Sequence, residues 1–410
     1  MAGRGYIEKR GENSFRLVVS CGLDSEGNQI KKTKSVTVKT DCPEKSCKGC
    51  AKITRCRARK EAEQALAEFV LEIEKGTFVE PSKLTFQEFA ERWLRDYAEL
   101  ELEPKTIHRY KELLKTRILP AMGHLKIQQI TPTHLLEFYK NLREDGIRLD
   151  GKPGKLSDST IHHHHRLLSA IFNDAVEWQV IPSNPAGRVK PPKVKKKQPP
   201  CYDEKQTAAL LEALEKAPLK YRAMIALDLA TGVRRGELMG LEWKDVDFEK
   251  GTITVRQAAQ YLPGKGVFEK DPKNETSKRT IAVPGSVMTL LKEYRKVWLE
   301  NRLKVGDLWQ GTDRLFTTWD GRPMHPDTIT KWFPKFLAKS NLPHINFHAL
   351  RHTSISLLIL EGVHPKVISG RAGHANISTT MDIYGHLLKS ADREAADKLE
   401  GLFNGKAKAN

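Results

Sequence analysis

Long apolar runs are missing from this sequence. No stretch approaches the eighteen or so residues that a membrane-spanning helix needs, which excludes a membrane partner. The first ten residues are basic but lack the apolar segment of a secretory signal, so a cytoplasmic protein is expected. Cysteine is scarce, with six in 410 residues, and in a chain without an export signal these read as reduced thiols or metal ligands, not a disulfide framework. Acidic charge is also short: 51 Asp and Glu face 69 Lys and Arg, for a net charge of +18. A field of that size attracts a polyanion, with nucleic acid as the leading partner, although a solvated basic surface would also account for it. Finally, no cluster of carboxylates suits a divalent metal, which argues against a metal-dependent nuclease.

At this length the chain should divide into about two to four units. Residues 1 to about 40 alternate like strands, with Phe15, Leu17 and Val19 on one face, Val36 and Val38 in a second run, and a turn at Asp24 to Asn28 between them. From Lys60 to Lys75 the period becomes helical through Ala62, Leu66, Phe69 and Ile73, and Gly76 stops it. A three-stranded sheet backed by one helix is the simplest arrangement for residues 1–78.

Thr85 to Glu88 then form a capping-box pattern, with Leu84 placed to pack on Phe89. Helices are expected from there, over Ile107 to Ile118 ending at Pro120, from Thr131-Pro132, and over Ile161 to Val176, giving an all-helical module over 84–188. His162 to His165 lie within the last of these helices, where adjacent positions point in different directions and do not make a metal site. Residues 189–200 hold two proline pairs and a lysine run, and read as an extended basic linker. Beyond it, Asp203 to Gln206 cap a helix and a second helix covers Met224 to Leu229. Short strands are expected at Ile253 to Val255 and Thr280 to Val283, with helices for most of the remainder of 201–395. The tail, 396–410, has nothing to pack. The fold class is multidomain and mainly α, with small β-sheets at the amino end and in a mixed α+β last domain.

Four pieces of that last domain carry chemistry together. Thr231-Gly232-Val233-Arg234-Arg235-Gly236-Glu237 places an arginine after a helix-ending glycine. His348 and Arg351 share a helical face at i, i+3. Gly373-His374 follows, and Tyr384 stands ten residues beyond His374. Each alone has an ordinary structural explanation: a surface ion pair, a common H-x-x-R spacing, a packed aromatic. Together they suit displacement at a phosphodiester without a metal. Guanidinium groups of Arg234 and Arg351 can clamp the nonbridging oxygens. A tyrosine hydroxyl, with a pKa of about 10, needs a proton acceptor to attack, and His348 is the candidate. His374 can donate to the phosphate, and a lysine is wanted to protonate the departing 5′ oxygen. Lys273 is the candidate for that role and Lys278 the alternative.

These residues resemble the tyrosine recombinases, in particular integrases of phages and conjugative transposons. The family's T-G-[apolar]-R-x-x-E is met by Thr231 to Glu237, its lysine-bearing hairpin, P-K leading to [KR]-R-T-I, by Pro272 to Ile281, its H-x-x-R-H-[ST] by His348 to Thr353, and its G-H-x-x-I-x-T-T-x-x-x-Y by Gly373 to Tyr384. Spacing to Ile281 favours Lys273 over Lys278. One departure is Ala372, where leucine usually precedes Gly-His. The resemblance implies a catalytic domain over 201–395 containing Arg234, Lys273, His348, Arg351, His374 and the nucleophile Tyr384. It implies a helical core-binding domain over 84–188 and an arm-site DNA-binding domain over 1–78. The activity implied is cleavage and rejoining of double-stranded DNA through a 3′-phosphotyrosine, to integrate and excise a mobile element. No cofactor is implied for catalysis. The implied partners are core and arm DNA sites, further copies of the chain forming a tetramer in the synapse, and an excisionase or DNA-bending protein. The implied location is the bacterial cytoplasm, at the nucleoid. A dimer-resolving recombinase and a catalytically silent DNA-binding regulator are the alternatives.

One feature interrupts the first module. Cys42, Cys47, Cys50 and Cys56 fall within fifteen residues, in the insertion 42–56 between sheet and helix. The spacing suits a tetrahedral structural zinc, against the alternative of a loop of free thiols.

Overall fold

The computed structural model describes residues 5–11, 13–39, 57–76, 78–194, 200–270, 278–311, 313–378, 380–381 and 400. The four clustered cysteines, Lys273, Tyr384 and the tail 401–410 lie outside the described residues. The chain divides into two compact units, Met1–Lys195 and Lys196–Asn410.

In the first unit, β1 (Tyr6–Lys9), β2 (Ser14–Leu23) and β3 (Gln29–Thr37) form an antiparallel sheet in that order, with Tyr6 opposite Val18 and Phe15 opposite Val36. The turn between β2 and β3 is built by Asp24, whose Oδ1 accepts from the backbone N–H of Glu26 and of Asn28. Helix α1 (Arg57–Glu74) covers the sheet. Leu17, Val19 and Phe69 form one buried group there and Phe15, Val38, Ala58 and Ala62 another.

A second, all-helical core follows in the same unit. Helix α2 (Phe86–Trp93) opens on the expected capping box: Thr85 N–H donates to Glu88 Oε2 at 2.8 Å and Glu88 N–H to Thr85 Oγ1 at 3.2 Å. A cap of this kind is worth about 1 kcal/mol. A π turn over Leu94–Ala98 leads into α3 (Glu99–Glu101). The expected helix 107–118 begins earlier and does not stop at Pro120. Helix α4 (Pro104–Leu113) passes through a π turn, Leu114–Ile118, into α5 (Leu119–Met122). The wider turn lets the helix continue past a residue that has no N–H to donate. Helices α6 (Pro132–Asn141) and α7 (Asp158–Glu177) complete the bundle around Phe86, Trp93, Ile118, Leu135, Leu168 and Phe172. Within α7, His164 is buried, with Nδ1 at 2.9 Å from the Thr160 carbonyl, and His165 pairs with the Tyr139 hydroxyl at 3.0 Å.

The second unit contains α8 (Glu204–Leu214), α9 (Leu219–Thr231) and α10 (Arg235–Gly240). A small sheet follows, ordered β4 (Val246–Asp247), β5 (Thr252–Val255), β8 (Arg279–Ala282), and a separate hairpin pairs β6 (Ala258–Leu262) with β7 (Gly266–Lys270). That hairpin was not expected from the sequence: Ala258-Ala259-Gln260 lacks the β-branched residues that mark strands. Helices α11 (Gly285–Val305), α12 (Asp327–Lys339), α13 (Ala349–Leu360) and α14 (Pro365–Ala372) complete the unit. Helix α9 runs from Leu219, five residues earlier than its apolar start at Met224 suggests, and its Ala223 to Leu227 are buried in the main core. Among the described residues no helix is long and apolar enough to cross a membrane.

Candidate active site

The end of α9 sets the first arginine. Thr231 Oγ1 donates back to the Leu227 carbonyl at 2.6 Å, and Gly232 ends the helix in the left-handed region at φ 61°. A Cβ there would also stand 3.2 Å from Ser354 Oγ, a tight approach that adds to the strain the left-handed conformation imposes on any other residue. The reversal makes Arg234 the residue that caps α10. Its backbone N–H donates to Glu237 Oε2 at 3.0 Å, its Nη1 to Glu237 Oε1 at 2.7 Å, and its Nη2 to the Gly373 carbonyl at 2.7 Å. Arg235 turns elsewhere, donating to Asp327 Oδ1 at 2.9 Å and to Thr330 Oγ1 at 2.7 Å.

Arg351, one turn into α13, is buried and donates from Nη1 to the Gly232 carbonyl at 2.6 Å. Burial, with the positive charge of Arg234 beside it, lowers its pKa to about 10, which leaves it protonated at neutral pH. Asp228 is fully buried near it. Burial pushes the Asp228 carboxyl well above the ordinary carboxylate range, with Arg351 opposing. His348 stands at the N-cap of α13. Its pKa is lowered by burial and then by Arg351, Arg234 and Arg235, so the ring is neutral at neutral pH and able to accept a proton.

Helix α14 ends at Gly373, again left-handed at φ 65°, and delivers His374. His374 Nδ1 lies 2.8 Å from Thr380 Oγ1. Burial, then Arg351, Arg234, His352 and Arg279, lower its pKa to about 4. Ala372, at the point where the sequence departs from the family pattern, is buried at the end of α14.

Four of the six residues singled out in the sequence, Arg234, His348, Arg351 and His374, are therefore tied together by hydrogen bonds through Gly232 and Gly373 or by mutual electrostatic influence. Lys273 and Tyr384 lie outside the described residues. Lys278 is exposed, immediately before β8.

Sequence reasoning assigned no role to Arg279, Glu237, Asp228 or Thr380. Arg279 is buried, donating from Nη2 to Glu237 Oε2 at 2.8 Å and from Nε to the Arg371 carbonyl at 2.7 Å. Its guanidinium occupies the space beside Gly373, where a Cβ would approach Nη1 to 2.7 Å. Burial alone would raise the pKa of Glu237, but Arg279 and Arg234 outweigh it and hold the carboxylate ionised. Two signals for this pair were present: a carboxylate three residues after Arg234, and an arginine two residues from the core residue Ile281 on one strand. Arg234 and Arg279 on Glu237, with Arg351 and the neutral imidazoles beside them, form a positive, partly dehydrated cluster suited to a phosphate.

Comparison with known proteins places the chain among relatives of known kind. Residues 201–391 match the Phage integrase family, and residues 85–143 match the phage integrase N-terminal SAM-like domain. A tyrosine recombinase XerC-like protein of Caldanaerobacter subterraneus subsp. tengcongensis is 28% identical over 421 residues, covering 98% of this chain and 100% of the relative. The ICEBs1 integrase of Bacillus subtilis is 27% identical over 305 residues, covering 74% of this chain and 80% of the relative. Among solved structures, the Tn1549 transposon integrase in complex with a circular intermediate DNA superposes with a TM-score of 0.65 at 22% identity, over 77% of this chain and 100% of that one. A lambda integrase dimer bound to a COC′ core site superposes with a TM-score of 0.54 at 16% identity, over 93% and 94%.

Proposed function

The chain belongs to the phage integrase family of tyrosine recombinases, which are site-specific DNA recombinases, and from that premise we propose how its residues divide the reaction. Tyr384 is the nucleophile. Its oxygen attacks the scissile phosphorus while neutral His348 takes the phenolic proton. Arg234 and Arg351 stabilise the charge on the nonbridging oxygens, with His374 donating a further hydrogen bond. Lys273 protonates the departing 5′ oxygen. The 3′-phosphotyrosine keeps the energy of the broken bond, so the 5′ hydroxyl of the partner strand can displace Tyr384 and reseal the backbone without ATP.

The observation that carries this reading is the linkage of Arg234 to Gly373 and of Arg351 to Gly232, which holds two guanidiniums and His374 around one recess. A nicked duplex, which loses the short strand after cleavage and traps the adduct, tests it. Wild-type protein should form a covalent protein–DNA species in EDTA, and Tyr384→Phe should bind the same duplex and form none. An adduct in that variant would point to another nucleophile.

The substrate is double-stranded DNA, and the use is integration and excision of a mobile element. The ICEBs1 and Tn1549 relatives support this by name, and the Tn1549 integrase is held on DNA. Residues 84–188 bind the core site and residues 1–78 an arm site; residues 189–200 are the basic linker before the catalytic domain, 201–395. Four copies assemble in the synapse, with an excisionase or DNA-bending protein setting direction, at the nucleoid of a bacterial cytoplasm. Catalysis uses no cofactor. A structural zinc on Cys42, Cys47, Cys50 and Cys56 rests on their spacing alone.

A further inference from the structure

We infer that Thr380 is a positioning residue for His374: its hydroxyl donates to His374 Nδ1 and holds the imidazole in the Nε2–H form, presenting an N–H to the phosphate. The inference rests on the reading of His374 given above. Its geometric basis is the 2.8 Å separation of Thr380 Oγ1 and His374 Nδ1. The ring is held from the backbone as well, since His374 N–H donates to the Ser369 carbonyl at 3.1 Å and Thr380 N–H to the Ile377 carbonyl at 2.9 Å.

A hydroxyl and an imidazole nitrogen can share a proton in either sense, and two arguments fix the sense here. Thr380 is fully buried, at 0% exposure. If Nδ1 carried the proton, the threonine O–H would have to find another acceptor in a dry environment; donating to a bare Nδ1 satisfies it. The second argument concerns the ligand. Arg351 and Arg234, which act on the His374 ring, are the groups proposed to hold the phosphate. An Nδ1–H ring would aim the Nε2 lone pair at that anion, whereas an Nε2–H ring donates to it. His374 stays neutral at neutral pH, so the choice between the two neutral forms is the variable the hydroxyl controls.

Nitrogen-15 spectroscopy of the full-length, histidine-labelled protein reads the tautomer directly, with His374→Gln identifying the His374 signals. Wild type and Thr380→Ser should show a bare Nδ1 and a protonated Nε2. Thr380→Val keeps the shape and removes the hydroxyl, and should give a mixture of the two forms. On the nicked duplex, cleavage by Thr380→Val should slow about 10-fold, the effect of one lost hydrogen bond, and Thr380→Ser should recover to within about 3-fold of wild type. A wild-type ring protonated at Nδ1 would overturn the inference. So would wild-type cleavage by Thr380→Val beside a slow His374→Gln. Undiminished cleavage by His374→Gln would instead overturn the role given to His374 itself.

Discussion

Arg279 and Glu237, on different elements, meet at 2.8 Å with both side chains buried, and the second oxygen of Glu237 holds Arg234. Removing one partner of such a pair leaves a dehydrated charge, at a cost of about 3–5 kcal/mol. For a unit of this size that is a fall in melting temperature of roughly 6–20 °C. Glu237→Ala should therefore melt lower and also lose cleavage, because Arg234 is no longer fixed. The double substitution Arg279→Met, Glu237→Leu should recover much of the stability without recovering cleavage. Calorimetry together with the nicked-duplex assay checks both; an unchanged melting temperature in Glu237→Ala would mean that the pair contributes nothing.

Acid should destabilise the free protein in a defined window. Burial, aided by the neighbouring positive charges, lowers the pKa of His352 and His374 to about 4, against an ordinary 6.5. The unfolded chain thus takes up protons near pH 6.5 that the folded chain accepts only near pH 4. Their contribution to stability is whole above pH 6.5 and is lost as pH falls towards 4. The urea midpoint should be lower at pH 5 than at pH 7.5, and the double variant His352→Asn, His374→Asn should reduce that difference. Equal midpoints at the two pH values for the wild type would contradict the assignment.

What could be read from the sequence was local. The caps at Thr85 and Asp203 depend on residues three apart, and both form as written. The turn at Asp24 and the helical stripe from Ala62 to Phe69 are likewise set by near neighbours. The spacing motifs collected Arg234, His348, Arg351 and His374 because each motif is a short helix end or turn. The same motifs run through Arg279, Glu237 and Thr380 without giving them a role, since their partners, like those of Asp228, are fixed by which elements the fold brings side by side. Arg279 is an ordinary strand residue until α14 places the Arg371 carbonyl 2.7 Å from its Nε. The β6–β7 hairpin escaped notice for lack of β-branched residues, and the passage through Pro120 because a π turn ahead of a proline has no simple sequence mark.

The cysteine cluster gives a prediction independent of catalysis. Reduced, purified protein should contain about one zinc per chain by elemental analysis if all four thiolates are ligands. Replacing Cys47 and Cys50 by serine should release it and lower the stability of the amino-terminal sheet and helix. Protein free of zinc after purification without chelators would remove the metal from the account.

The assignment of the leaving-group acid separates two lysines by chemistry. Lys278 is exposed and immediately precedes Arg279, whose buried side chain turns in toward Glu237. Successive residues along a strand alternate sides, so the inward turn of Arg279 favours Lys273 over Lys278 for the proposed role. A 5′-bridging sulfur offers a direct comparison, because a thiolate leaves without needing a proton whereas the ordinary 5′ oxygen does. Lys273→Ala should cleave an ordinary nicked duplex about 100-fold more slowly or worse, the usual effect of losing a general acid. It should approach the wild-type rate on the sulfur-substituted duplex. Lys278→Ala should stay within a few-fold of wild type on both. If sulfur restores Lys278→Ala and leaves Lys273→Ala slow, the proton comes from Lys278.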